Sequence, residues 1–268
     1  MDFAAKYGPW AIIAGASEGI GRSFALSLAS RGVSTILIAL DGPLEEVADE
    51  VRARGADAVT ARIDLAAPDA FERIRDAAGD REVGLYISNA GGDANASRYL
   101  DIDAEAWLRL ARVNIMTTMA ACHHFGGLMR ARKRGGILIV NSGGCYGGGS
   151  FLVTYNASKA FLLNFAEGLW AELRPHGVDV LTVALNVTDT PNLRRILAKT
   201  GAEVPDDAAS PEEVAEVALK QLPDGPVQNW GLAESDASFG ASAADRRARV
   251  LAMDAGSSRI YGELADEN

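Results

Sequence analysis

Short apolar runs rich in β-branched residues alternate along the chain with longer amphipathic stretches. This order is typical of βαβ units, in which a parallel sheet is covered by helices on both faces. The apolar runs predict strands over residues 10–14, 35–39, 59–63, 85–88, 137–140 and 178–185. We therefore expect an α/β fold built on a doubly wound parallel sheet.

The amphipathic stretches predict the helices that lie between these strands. Their bounds are residues 20–30, 44–53, 104–129, 154–174 and 211–221, and Ser210 is the expected cap of the last helix. Because no interdomain linker and no internal repeat is visible, residues 1–268 are expected to form a single domain. Residues 191–268 are assigned to the substrate pocket and the C-terminal part of that same domain.

Composition and charge narrow the classes of partner. The chain has 268 residues, 48% of them hydrophobic, and a formal net charge of -10, which gives no attraction to nucleic acids or anionic membranes. No apolar run approaches the roughly 20 residues that cross a bilayer, and the first residues do not resemble a signal peptide. We expect a cytoplasmic protein in which Cys122 and Cys145 are free thiols.

Three glycines mark the junction between the first predicted strand and the helix that follows, in the segment Gly15-Ala16-Ser17-Glu18-Gly19-Ile20-Gly21. Glycine permits a tight turn and lets a phosphate approach the backbone, while the N–H groups at the start of a helix attract negative charge. A turn with a purely structural role has the same appearance. The residues expected to bind a dinucleotide here are Gly15, Ser17, Glu18, Gly19, Ile20 and Gly21.

The spacing Gly-x-x-x-Gly-x-Gly resembles that of the short-chain dehydrogenase/reductase family. Further marks of this family follow between about Gly8 and Pro191, namely Asp64-Leu65, Asn89-Ala90-Gly91, Asn114, Ser142 and Tyr155-x-x-x-Lys159. The resemblance implies a Rossmann-like fold and an NAD(P)-dependent oxidoreductase acting on a small-molecule secondary alcohol or ketone. It also implies a homodimer or homotetramer built from the long helices.

The resemblance extends to individual cofactor contacts. It implies that Asp64 and Leu65 flank the adenine, that Asn89-Ala90-Gly91 supports the central part of the cofactor, and that Val187 and Thr190 hold the nicotinamide carboxamide. One departure follows the sixth strand, where the family usually has Pro-Gly and this chain has Leu185-Asn186. Since asparagine tolerates a positive φ better than most residues, Asn186 is expected to replace the glycine.

The catalytic prediction rests on a tyrosine and a lysine four residues apart. On a helix, Tyr155 and Lys159 share one face, and a neighbouring ammonium favours the phenolate of a tyrosine. Tyr155 is then the general acid and base of the hydride transfer, and Ser142 hydrogen-bonds the reacting oxygen. The resemblance further implies that Lys159 binds the nicotinamide ribose and that Asn114 holds a water molecule in a proton relay.

Two other functions remain open. One is a dinucleotide-binding sensor that has lost turnover, although the retained Ser142, Tyr155 and Lys159 favour an enzyme. The other is a β-ketoacyl carrier-protein reductase, which needs a basic docking patch such as residues 130–134. No metal site is expected, because adjacent helical side chains such as His123 and His124 diverge by about 100°. The glycine-rich residues 143–149 indicate either a roomy substrate pocket or a loose surface loop.

The cofactor is expected to be NAD in preference to NADP. No basic residue occurs from Ser34 to Pro43, whereas a 2'-phosphate needs arginine or lysine nearby. Asp41 offers a carboxylate to a free 2'-hydroxyl, and Glu18 adds negative charge before the second motif glycine.

The oligomer prediction has independent support in the helix at 154–174. Its apolar arc is wider than one buried face requires, because Phe161 and Phe165 lie on one flank while Leu163 and Trp170 lie on the other. We expect a second protein surface to cover this helix.

Overall fold

A computed structural model describes residues 2–93, 95, 97–201, 203–230, 247, 248 and 251. Seven parallel strands form one sheet in the order β3-β2-β1-β4-β5-β6-β7. The strands are β1 (Trp10–Ala14), β2 (Ser34–Ala39), β3 (Ala58–Arg62), β4 (Val83–Ser88), β5 (Gly135–Ser142), β6 (Val178–Leu185) and β7 (Val227–Trp230). The order reverses at β1 and β4, which are neighbours in the sheet although two strands separate them in the chain.

Helices cover both faces of this sheet. They are α1 (Phe3–Tyr7), α2 (Gly19–Ala29), α3 (Leu44–Ala53), α4 (Ala70–Ala78), α5 (Ala104–Ala111), α6 (Thr117–Arg132), α7 (Val153–Leu173), α8 (Pro191–Thr200) and α9 (Pro211–Gln221). A π-helical turn, Arg112–Met116, joins α5 to α6. The architecture is the expected Rossmann-like, doubly wound α/β fold in a single domain.

Side chains alternate between the two faces of the sheet along each strand, and each face packs into its own hydrophobic core. Adjacent strand residues point to opposite faces, so Ile13 packs with α2, α3 and α9 while its neighbour Ile12 packs with α4, α6 and α7. Both isoleucines are fully buried. The sheet therefore holds its carboxyl edge rigidly between two helical layers, and this edge is where loops can present functional groups.

Most of the predicted elements are confirmed, several with identical bounds. The expected helix at 104–129 is wrong as a continuous α-helix, because the π-helical turn at Arg112–Met116 interrupts it. Four elements were not expected, namely α1, α4, α8 and β7. Of residues 191–268, the described ones up to 230 complete the sheet and cover its edge, and most of 231–268 lies outside the described residues.

Two further expectations concern whole-chain properties. Cys122 and Cys145 are both buried and form no disulfide with each other. In the part of the chain that the structure describes, no helix is both long and apolar enough to span a bilayer.

Candidate active site

A cavity of about 470 Å³ opens at the carboxyl edge of the sheet. It lies beside the reversal point between β1 and β4, where open α/β sheets bind their ligands. Its walls come from the glycine segment after β1, the loop after β4, the end of β5, α7, the segment after β6, and α8. Residues far apart in sequence therefore meet at one site.

The glycine segment is built to leave backbone exposed to this cavity. Gly15 and Gly19 have φ values of 90° and 53°, which disfavour other residues. A Cβ atom on Gly15 would lie 2.7 Å from the Ala90 nitrogen, and one on Gly21 would overlap the Gly15 carbonyl oxygen. Asn89 Nδ2 donates to that same carbonyl oxygen at 2.7 Å. Gly15 and Gly21 are thus needed for close packing between this segment and the loop after β4, whereas Gly19 lies against Thr190.

The start of α2 has the donors that a pyrophosphate needs. Glu18, the residue that precedes the first turn, makes no side-chain capping hydrogen bond to it. The first N–H groups of α2 therefore remain available at the cavity wall, and the positive end of the helix favours an anion there. The helix start has no side-chain cap, and the glycines next to it have no room for a Cβ atom. This combination fits the binding of a dinucleotide phosphate.

Tyr155 and Lys159 lie on α7 and face the cavity. The Lys159 nitrogen lies 5.5 Å from the centroid of the Tyr155 ring and donates to the Val140 carbonyl oxygen at 3.0 Å. Burial lowers the pKa of Lys159 to about 8, because the charged form loses its hydration. The two side chains are brought together as the sequence predicts.

The expected phenolate of Tyr155 is not what its surroundings favour. Burial raises the pKa of Tyr155, a hydrogen bond with Ser142 lowers it, and the negative charge of Asp93 raises it further. Burial is the largest of these effects, so the neutral phenol is favoured. In this state Tyr155 is a proton donor.

Ser142 is held by a buried asparagine that the sequence reading did not identify. The Ser142 N–H donates to Asn141 Oδ1 at 2.8 Å, and Asn141 Nδ2 donates to the Lys159 carbonyl oxygen at 3.1 Å. Asn141 is 3% exposed. It therefore ties the end of β5, with its serine, to the turn of α7 that carries the lysine.

Asn114 occupies the π-helical turn behind the cavity. Its Nδ2 donates to the Ser158 hydroxyl at 2.8 Å, and that hydroxyl donates to the Tyr155 carbonyl oxygen at 2.7 Å. Its Oδ1 is buried and accepts no hydrogen bond from the described residues. A Cβ atom on Gly91 would overlap this oxygen, so the close approach of the loop after β4 requires glycine at this position. The arrangement leaves one acceptor for a small polar ligand such as water.

The structure brings most of the expected cofactor-binding residues to the cavity wall. These are Gly15, Ser17, Glu18, Gly19, Ile20, Asn89, Ala90, Gly91, Tyr155, Lys159, Val187 and Thr190. Four expected cofactor-binding residues do not line this cavity, namely Gly21, Asp41, Asp64 and Leu65. Of the expected catalytic residues, Ser142, Tyr155 and Lys159 line it and Asn114 does not. Asp64 instead forms an ion pair with Arg109 at 2.8 Å, and hydrogen bonding from Arg109 lowers the pKa of that carboxyl.

The Leu185-Asn186 departure is accommodated without unusual backbone geometry. Asn186 does not adopt a positive φ, so the expected replacement of a glycine on that ground is wrong. The Asn186 N–H instead donates to the Trp230 carbonyl oxygen at 2.9 Å, which extends the pairing of β6 with β7, and Leu185 is buried. Thr190 caps α8 by accepting the Leu193 N–H at 3.1 Å.

Two arginines from distant elements reach the end of β2, where the sequence showed no basic residue. Arg195 on α8 forms a two-pronged ion pair with Glu18, with one N–O distance of 2.9 Å, and also interacts electrostatically with Asp41. Arg62 donates to the Gly42 carbonyl oxygen at 3.0 Å. Neither contact has a local sequence signal, because each depends on tertiary packing.

Comparison with known proteins matches this architecture to one family. The family model described as short chain dehydrogenase matches residues 9–201. The chain is 33% identical over 193 residues to a 7beta-hydroxysteroid dehydrogenase of Clostridium sardiniense, which covers 71% of this chain and 74% of the relative.

Solved structures agree with that match. A 7beta-hydroxysteroid dehydrogenase structure superimposes with a TM-score of 0.81 at 26% identity, over 93% of this chain and 99% of the other. A short-chain dehydrogenase from Sphingobium yanoikuyae in complex with NADPH gives a TM-score of 0.76 at 26% identity, over 92% and 96%.

Proposed function

Because the chain belongs to the short-chain dehydrogenase/reductase family, we propose that Tyr155 is the acid and base of its reaction. The chain is an oxidoreductase that transfers a hydride between a nicotinamide dinucleotide and a secondary alcohol or ketone. The observation that carries the assignment of Tyr155 is the convergence of Ser142, Tyr155 and Lys159 on one cavity beside the uncapped start of α2.

The residues that would hold the dinucleotide follow the cavity wall. The backbone of Gly15 and Gly19 would take the phosphates, Asn89-Ala90-Gly91 the central part, and Val187 with Thr190 the nicotinamide end. When bound, the nicotinamide supplies or accepts the hydride. Lys159 would bind the adjacent ribose with the ammonium hydrogens that it does not share with Val140.

The protein side of the reaction is a proton transfer at the substrate oxygen. In ketone reduction that oxygen gains negative charge, and the Tyr155 hydroxyl gives it a proton as the Ser142 hydroxyl hydrogen-bonds to it. In alcohol oxidation, Tyr155 would first give its own proton to water and then take the hydroxyl proton of the substrate. Asn114 would hold the water that returns the proton to Tyr155, since its Oδ1 has no other partner among the described residues.

The substrate is proposed to be a bulky alicyclic alcohol or ketone. A relative and a solved neighbour are both named 7beta-hydroxysteroid dehydrogenase. Among the glycine-rich residues 143–149, none lines the cavity. Gly147 and Gly148 are exposed, and a Cβ atom on either would meet nothing within 4 Å, which favours the surface loop over the roomy pocket for this segment.

No observation favours the carrier-protein reductase. Of the basic residues 130–134, Arg132 donates to the Val83 carbonyl oxygen, and Arg134 pairs with Glu82. These two arginines are engaged in contacts within the chain rather than presented to an acidic carrier.

We propose NADP as the physiological cofactor, in place of the NAD that the sequence favours. The solved neighbour from Sphingobium yanoikuyae is a complex with NADPH. Arg195 and Arg62 provide positive charge at the end of β2, where the 2'-phosphate of NADP would lie. Arg195 would exchange part of its contact with Glu18 for that phosphate.

A homodimer or homotetramer and a cytoplasmic location remain predictions. The argument from α7 needs correction, because Leu163 and Trp170 are buried within the chain itself. Apolar side chains exposed on the long helices still support association, namely Met116, Met119, Leu128 and Phe161. A monomeric mass by light scattering at micromolar concentration would contradict it.

The test of the proposed function is a panel of alicyclic ketones and secondary alcohols, assayed by nicotinamide absorbance with NADP and with NAD. Turnover of panel members by the wild-type protein, abolished in Tyr155→Phe, is the expected result. Turnover that survives the loss of the Tyr155 hydroxyl would overturn the mechanism.

A further inference from the structure

Asp93 is a buried carboxylate in the cavity wall, and the proposed proton transfer gives it no role. It lies in the loop after β4, its residue is 7% exposed, and it lines the cavity. The Asn95 N–H donates to its Oδ1 at 2.8 Å, which fixes the orientation of the carboxylate. Its Oδ2 is buried without a hydrogen-bond partner in the structure as described.

An unpaired buried carboxylate oxygen is unfavourable for the protein alone. Removing a charged oxygen from water without a compensating donor destabilises the folded state, and such groups are rare unless a ligand supplies the partner. The other charged residues of the described cavity wall are already engaged, since Glu18 pairs with Arg195 and Lys159 donates to Val140. In this described wall, Asp93 is the charged residue with a buried oxygen, Oδ2, that lacks a hydrogen-bond partner.

Asp93 and Tyr155 both line this cavity. The negative charge of Asp93 also raises the pKa of Tyr155, and such an interaction weakens with distance. A substrate that reaches Tyr155 therefore meets a charged hydrogen-bond acceptor in the same cavity wall.

Helix α8 approaches the loop after β4 next to this carboxylate. Asn192 of α8 lines the same cavity, and a Cβ atom on Gly92, the chain neighbour of Asp93, would lie 3.1 Å from Asn192 Nδ2.

We propose that Asp93 selects substrates that carry a hydrogen-bond donor, a hydroxyl or an ammonium group, close to the carbon that is oxidised. The inference rests on the proposed function and names its substrate class: vicinal diols and amino alcohols, with the matching α-hydroxy and α-amino ketones. The donor hydrogen-bonds to Oδ2, and the carbinol oxygen lies at Tyr155 and Ser142. A carboxylate at the same place on the substrate is repelled.

The test compares three alcohols of one ring, namely cyclohexanol, cis-1,2-cyclohexanediol and 2-aminocyclohexanol. In the wild-type protein, kcat/KM for the diol and for the amino alcohol is expected to exceed that for cyclohexanol by about tenfold or more, as for a hydrogen bond to a charged group. We define two ratios, kcat/KM for the diol and kcat/KM for the amino alcohol, each divided by kcat/KM for cyclohexanol. Asp93→Ala should bring both ratios close to one. Asp93→Asn should reduce the amino-alcohol ratio more than the diol ratio, because the amide has no charge.

The control is Asp101→Asn, which removes an exposed carboxylate from the same connection and should leave both ratios unchanged. A binding measurement separates recognition from turnover. With NADP bound to the Tyr155→Phe protein, calorimetry should give a lower Kd for the diol than for cyclohexanol, and adding Asp93→Ala should remove the difference.

The outcomes distinguish the two proposals. Absence of turnover with every alcohol in wild type contradicts the proposed function, whereas turnover with ratios near one overturns the role of Asp93 alone. Ratios that stay high in Asp93→Ala, in a protein shown by thermal unfolding to be folded, overturn it as well. If Asp93→Ala does not fold, the ratios of Asp93→Asn decide.

Discussion

The ammonium nitrogen of Lys159 lies 5.5 Å from the ring centroid of Tyr155, one helical turn further along α7. The burial of Lys159 next to Tyr155 has two separate consequences. It places a positive charge beside the phenol, and it makes that charge easier to lose, since the pKa of Lys159 falls to about 8. Substitutions at the two positions therefore have different expected effects.

Tyr155→Phe is expected to lower kcat by about 10²- to 10⁴-fold, because the ring is kept and the proton donor is removed. Affinity for the dinucleotide, measured by nicotinamide fluorescence, should stay nearly unchanged. Tyr99→Phe is a matched control, since Tyr99 is exposed and stacks on Trp107 rather than facing the cavity. Near-normal turnover in Tyr155→Phe would refute the proposed chemistry.

Lys159→Met should remove one contribution to the pH dependence of stability of the cofactor-free protein. The pKa of Lys159 is about 8 when folded and near 10.4 when unfolded, so between these values this residue binds more protons in the unfolded chain. The contribution of Lys159 to the free energy of unfolding should therefore rise with pH in this window, by about 1.4 kcal/mol per pH unit and about 3 kcal/mol in total. Cys122 and Tyr86 contribute with the opposite sign, because burial raises their pKa, so the difference between the two proteins isolates Lys159. Denaturant unfolding of wild type and variant at pH 8, 9 and 10 measures it.

The Met variant keeps an apolar side chain of similar length and cannot titrate. The free energy of unfolding of wild type minus that of this variant should therefore rise with pH over that window. Parallel curves for the two proteins would mean that Lys159 is not desolvated as the structure places it.

Much of the fold was predictable because apolar periodicity reports burial. β1, β6, α3 and α9 have the bounds that the sequence indicates. α8 was missed for a physical reason: it covers the cavity edge rather than the sheet, so its residues form no continuous buried stripe. The π-helical turn around Asn114 was missed because apolar spacing does not distinguish it from an α-helix.

The parts of the site that consist of residues close together in sequence could be predicted. The parts that depend on contacts between residues far apart in sequence could not. The glycine segment and the Tyr155 to Lys159 spacing are read within a few residues. Arg195 meets Glu18 across 177 positions, and the burial of Asp93 Oδ2 without a partner is visible only in the folded chain. These contacts are properties of packing, which a single sequence does not display.

Gly21→Ala is expected to disrupt the cofactor site and lower stability. The added Cβ would overlap the Gly15 carbonyl oxygen and approach Asn89 Nδ2 at 2.8 Å, so the two loops must separate. We expect a loss of about 1–3 kcal/mol in unfolding free energy, as for overpacking, together with weaker dinucleotide binding. Thermal unfolding and fluorescence titration measure the two effects.

Gly127→Ala in α6 is the matched control for that substitution. Gly127 is exposed, and its added Cβ meets nothing within 4 Å. Since alanine favours a helix interior over glycine, this variant should gain up to about 1 kcal/mol and bind the dinucleotide as wild type does. Equal losses in both variants would show that the effect at Gly21 is not specific to the loop contact.

Arg195→Ala should discriminate between the two dinucleotides. Arg195 reaches Glu18 and Asp41 from α8, and these carboxylates surround the place where a 2'-phosphate would lie. Without the guanidinium, both carboxylates repel that phosphate. A free 2'-hydroxyl can still donate a hydrogen bond to a carboxylate. We expect kcat/KM with NADP to fall about tenfold more than kcat/KM with NAD, a difference of about 1.4 kcal/mol in transition-state binding.

The control is Arg52→Ala, which breaks an exposed ion pair with Asp49 on α3 and should change kcat/KM with the two cofactors equally. A wild-type preference of tenfold or more for NAD would restore the cofactor predicted from the sequence and leave Arg195 as a structural partner of Glu18.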